Sequence, residues 1–114
     1  MSEALQVSTL DVNNSGISNL SGIGYFRNIT SLKCSYNQLT NLNLTVNLDL
    51  QSVDCSNNQL TTLQLVGSGL LALDCSTNAL TSLNTTNATS LIYLYCGYNQ
   101  LTNLNLSNNT QLEK

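Results

Sequence analysis

The chain has 114 residues, enough for one folded unit, and only 8% of them are charged, with a formal net charge of -3. Its only cations are Arg27, Lys33 and Lys114, so it lacks the basic footprint that nucleic acid or an anionic membrane surface requires. No apolar run approaches the roughly 20 residues of a membrane-spanning helix, and an apolar fraction of 41% argues against a disordered polar chain.

In chain order, residues 1–6 come first and read as the remnant of an N-terminal cap. They contain no apolar core of a signal peptide, so a leader was removed or the protein is cytosolic. Residues 7–114 read as five repeats and the start of a sixth. The first, 7–28, is divergent and one residue longer, with Val12, Ser15, Gly22 and Gly24 departing from the pattern that follows. From residue 29 the phrase L-x-x-L-x-C-S-x-N-x-L-T-x-L-N-L recurs, beginning at Ile29, Leu50, Leu70 and Leu91, and Leu112 opens it again. Cys34, Cys55, Cys75 and Cys96 hold one slot of it, spaced by 21, 20 and 21 residues. A fixed period of this length predicts a leucine-rich-repeat solenoid.

Each repeat should supply one short strand of a single parallel sheet on the concave face: Ser31–Lys33, Ser52–Asp54, Ala72–Asp74 and Tyr93–Tyr95. The return along the convex side is about a dozen residues rich in Asn and Thr, too short and too polar for a sound helix, so it should be extended or irregular. Counting from the first apolar residue of each repeat, positions 1, 4, 6, 11, 14 and 16 are apolar nearly throughout and should face the core. Asn37, Asn58, Asn78 and Asn99 fall at the strand-to-turn corner, where an amide that both donates and accepts can tie the loop backbone of the next repeat. A single repeat cannot bury enough surface to fold alone, so stacking must stabilise it.

The cysteines raise the question of disulfides or a metal. Close ligand pairs such as C-x-x-C are absent and the chain has no histidine. Stacked parallel strands also hold equivalent Cβ atoms side by side at about 4.8 Å, wider than a disulfide wants. A buried column of free thiols fits better. Position 5 of the strands gives an outward column of Asp11, Lys33, Asp54, Asp74 and Tyr95. Adjacent Asp54 and Asp74 could do acid–base work or hold a cation, but on an open sheet charge decoration, offset by Lys33, is the simpler role. Tyr93, Tyr95 and Tyr98 cluster in the last repeat, with Tyr36 in the slot of Tyr98. Such tyrosines serve either as a binding surface for a protein or glycan or as a cover for the end of the sheet. Thr40, Thr61, Thr81 and Thr102 form a further column, suited to an ordered surface such as ice or to satisfying nearby backbone groups. No nucleophile–base pair or cofactor loop is present in the pattern, so no enzyme and no cofactor is expected.

The phrase LxCSxNQLTxLNL, with cysteine replacing one leucine, resembles the leucine-rich repeats of internalin-type bacterial surface proteins, above all the subgroup with a cysteine column. The stretch ISNLSGIGYFRNITSL at residues 17–32 looks like that family's first repeat, and the resemblance spans residues 7–112. It implies an exported protein, secreted or at the cell surface, that binds a protein or glycan through the concave sheet. Lys33, Tyr36, Asp54, Asp74, Tyr93, Tyr95 and Tyr98 are the candidate contacts. A structural or self-associating spacer is the alternative, since the apolar row of the last repeat invites end-to-end stacking.

Overall fold

Three-residue strands recur at the predicted places because each places one apolar side chain inward between two outward ones, most of them polar. In the computed structural model, which describes residues 6–65 and 67–113, these are β1 (Thr9–Asp11), β2 (Ser31–Lys33), β4 (Ser52–Asp54), β6 (Ala72–Asp74) and β7 (Tyr93–Tyr95). They form one parallel sheet in the order β1-β2-β4-β6-β7. The register carries no offset: Leu10, Leu32, Val53, Leu73 and Leu94 are successive partners across it. The chain is a parallel solenoid with a leucine-rich core and no α-helix among the described residues. Residues 1–5 of the expected cap remnant lie outside the described residues.

The return side is more ordered than its polar composition foretold. Asn41–Asn43 (β3) and Thr62–Gln64 (β5) pair in parallel as a separate two-stranded sheet. Their N-L-N and T-L-Q sequences alternate polar and apolar with the period of a half-buried strand. In the first turn a five-residue 3-10 helix at Ser21–Tyr25 takes this place, and its buried residue is Ile23.

Ile29, Leu32, Cys34, Leu39, Leu44, Leu50, Cys55 and Leu60 are wholly buried, so the inward columns run through the middle of the molecule. The last turn differs: Cys96, Leu101, Leu104 and Leu106 are only partly buried, because they pack on a neighbour from one side. Position 16 of the fourth turn is Thr85 rather than leucine, yet it is buried, since its hydroxyl donates to Asn109 Oδ1 at 2.7 Å. Asn47 occupies the equivalent of Asn109 three turns earlier and donates from Nδ2 to the carbonyls of Ile23 and Phe26. The residue matching Thr85 is there Ile23, which has no hydroxyl, and Asn47 Oδ1 is left buried without a partner.

The corner asparagines do the main polar work. Asn58 Nδ2 donates to the carbonyls of Cys55 and Ser56 in its own turn and of Cys34 in the turn before, while Oδ1 accepts the Leu39 N–H. Asn78 and Asn99 repeat this set, and Asn37 does so with the Ser15 and Ile17 N–H groups as donors. Each amide therefore reaches back to the preceding turn, not forward to the next as anticipated. The residue just before each corner asparagine, and before Ser15 in the same slot of the first repeat, adopts the left-handed conformation, with φ from 52° to 56° at Asn14, Tyr36, Asn57, Thr77 and Tyr98. Asparagine tolerates it; β-branched Thr77 does not. Thr77→Asn should therefore raise stability by about 1 kcal/mol, read as a higher urea midpoint at unchanged slope. A lower midpoint would contradict the strain argument.

Candidate binding face

Asp11, Lys33, Asp54, Asp74 and Tyr95 are consecutive partners across the sheet, so the position-5 column is a continuous outer row. Lys33 is exposed between two aspartates. Asp54 and Asp74 are half-buried and each already has a task. Asp54 Oδ1 accepts the Ser56 N–H at 3.1 Å and the Ser56 hydroxyl at 2.7 Å. Asp74 Oδ1 holds Ser76 in the same way, at 3.0 and 2.6 Å. These D-x-S pairs cap the strand ends as Asx turns. Their spacing was visible in the sequence, although the residues drew attention there as possible cation ligands. Among the described residues no group of three or more His, Cys, Asp or Glu is arranged to hold a metal ion.

The tyrosines lie open. Tyr93 and Tyr95 are 42% and 49% exposed on the last strand, beside Ala72 and Asp74. Tyr98 and Tyr36 stand further out, 87% and 63% exposed, each at a left-handed corner. The structure thus brings Tyr93, Tyr95, Tyr98 and Asp74 together at one end of the face and leaves Tyr36 three turns from Tyr95.

Beneath the sheet the thiols are free. Cys34, Cys55 and Cys75 are fully buried, and Cys96 is partly exposed. Burial, with Asp54 nearby, pushes the Cys34 thiol up to about 12. Burial does the same for Cys75, to about 12, and raises Cys55 well above its ordinary value, with Cys34 and Cys75 adding to the effect. Such thiols are neutral and unreactive, which suits packing and not chemistry.

Sequence reasoning missed one feature on the return side. Between the first two turns lies a cleft of about 400 Å³, open along β3 and bordered by the 3-10 segment. The extra residue of the first repeat was its only signal.

No family model matches the chain, and neither does any curated protein. Among solved structures, it aligns over 96% of its length with the functional domain of InlJ from Listeria monocytogenes, which includes a cysteine ladder, at 35% identity and a TM-score of 0.88. It covers 97% of itself on an internalin C2 from the same organism at 24% identity and 0.62, and 96% on a chain of the LRIM1/APL1C complex at 21% and 0.70. The fold these share defines a leucine-rich-repeat protein. More narrowly, the repeats resemble those of the InlJ domain, with turns of about 21 residues and one core column of cysteine. The chain spans about a quarter of the length of the InlJ and LRIM1/APL1C chains and 61% of internalin C2.

Proposed function

We propose that this chain is a non-enzymatic binding module of an exported bacterial protein and recognises a protein or glycan through the outer face of its five-stranded sheet. One observation carries the reading: Tyr93, Tyr95 and Tyr98 lie exposed together on the last turn beside the Asp74 carboxylate. Rigid rings with polar tips give large contact area at low entropic cost. The left-handed backbone at Tyr36 and Tyr98 supports it further, since a bulky residue there costs about 1 kcal/mol relative to asparagine. Folding gains nothing from an aromatic side chain standing in water at such a corner, whereas a bound partner would. Lys33, Asp54 and Asp74 add charge beside the rings, and for the aspartates the second carboxylate oxygen is the one a partner would meet. The likeness to internalins supports export and a surface location.

A Tyr93→Ala/Tyr95→Ala double variant tests it on arrays of extracellular proteins and of glycans. The expected result is at least a tenfold loss of the wild-type signal with an unchanged urea midpoint. A second reading, a self-associating spacer, draws on the half-exposed row of Cys96, Leu101, Leu104 and Leu106. It prevails if the variant changes only association or stability.

A further inference from the structure

Along β3 the backbone alternates. Leu44 N–H donates to the Gln64 carbonyl of β5 at 2.9 Å, the Thr40 carbonyl accepts the N–H of Thr61 just before β5 at 2.8 Å, and parallel pairing turns Leu42 the same way. The N–H and C=O groups of Asn41 and Asn43 consequently face the first turn. Among the described residues no hydrogen bond joins them to it: the backbone bridge between these turns stops at Gln38 N–H to the Ile17 carbonyl. On its other side β5 fills this role for β3, and these two are the whole return-side sheet among the described residues. Here the longer first repeat coils into a 3-10 segment and leaves the 400 Å³ cleft, with Ser18, Asn19 and Ser21 on the far wall.

From this geometry we infer that the open edge of β3 is a second docking surface, which takes an extended segment of a partner polypeptide by backbone pairing. Two donors and two acceptors alternate along the edge at a repeat of roughly 6.6 Å, twice the rise of a strand residue. An extended peptide backbone presents the complementary series at that same repeat, whereas the hydroxyls of a sugar follow no such period. Small polar residues make up most of the cleft walls, with Leu20, Ile23, Leu42 and Val46 among them, so the walls admit a main chain without demanding a particular side chain. At its mouth Val46 is 57% exposed, and with Leu48, 71% exposed, it lines an adjoining hollow beside Arg27 and Asp49. Aliphatic side chains of the guest belong there. This surface lies on the return side and stands or falls separately from the tyrosine face.

The test titrates isotope-labelled full chain with acetyl-Lys-Thr-Val-Thr-Val-Thr-amide and with its twin N-methylated at both valines, following amide signals by NMR. The expected result is that the Asn41 and Asn43 amides shift and exchange more slowly with the plain peptide, while those of Tyr93 and Tyr95 stay fixed. The N-methylated twin should bind at least tenfold more weakly. Asn41→Pro, which deletes one edge N–H at the first residue of a strand, where proline is tolerated, should weaken the plain peptide similarly. Equal affinity for both peptides would overturn the inference without recourse to any variant, and so would the absence of a shift at Asn41 and Asn43. Shifts of these amides by chitotetraose, or by raising protein concentration alone, would also overturn it, in favour of a glycan or a second copy.

Discussion

Asn58→Leu should destabilise the fold by roughly 3–5 kcal/mol, far more than its half-buried position alone would indicate. The substitution leaves the Leu39 N–H without its acceptor and takes one of two donors from each of the Cys34, Cys55 and Ser56 carbonyls, which keep Asn37 Nδ2, Asn78 Nδ2 and the Tyr36 N–H. Cys34 and Cys55 are buried, so water cannot replace the lost amide there. Asn58→Asp, nearly identical in shape, should be damaging as well, since a carboxylate keeps the acceptor but meets three carbonyls with no hydrogen to offer. Thr61→Ala serves as control: that hydroxyl makes one exposed bond, to the Thr40 carbonyl, and its loss should cost less than about 1 kcal/mol. Urea denaturation of the three variants provides the check. A cost near that of the control for both Asn58 variants would show that the column is decoration.

The second large effect concerns the thiols. At pH 8 Ellman's reagent should titrate Cys96 in the folded protein and reach Cys34, Cys55 and Cys75 only at the rate of global unfolding, slower by orders of magnitude. Stability should also fall in alkali. A thiol whose proton is held more tightly in the folded state contributes fully below its unfolded value, 9.0, and that contribution disappears as pH rises toward the folded value, about 12 for Cys34 and Cys75. The urea midpoint is therefore expected to be level to pH 8 and to decline between pH 9 and 12. Cys55→Ala, which deletes the most deeply placed thiol, should decline less steeply. Rapid labelling of all four cysteines, or a flat profile through pH 11, would refute the dry column.

How far the fold could be read in advance follows from what repetition displays. Periodic apolar slots fix which residues face inward, so the strands containing Leu32, Val53, Leu73 and Leu94 stood where the phrase put them. The internalin-type likeness, drawn from the cysteine slot, agrees with the InlJ alignment. Direction is different: a repeat looks the same from either neighbour, and nothing in Asn58 says whether it ties the turn before or after. The β3–β5 pair was overlooked because the many Asn residues of the return disfavour strands, although Thr62 favours one and the alternation around Leu42 and Leu63 was present. At the binding face, exposure of the tyrosines was legible from their strand positions, while the capping duty of Asp54 and Asp74 needed the serines two residues on to be read as partners. The cleft escaped because a single added residue marks a departure without saying what shape it takes.

The unshifted register between β1, β2, β4, β6 and β7 bears on how such a molecule can change length. Since every seam sets one inward apolar residue against the next, copying the DNA for one turn inserts a segment whose two new seams pack inside as the old ones do, and the array lengthens by about 4.8 Å with its interior unchanged. Slippage during replication is then a route to longer or shorter relatives, and the divergent first turn, which has no duplicate, is the one part such copying would spoil.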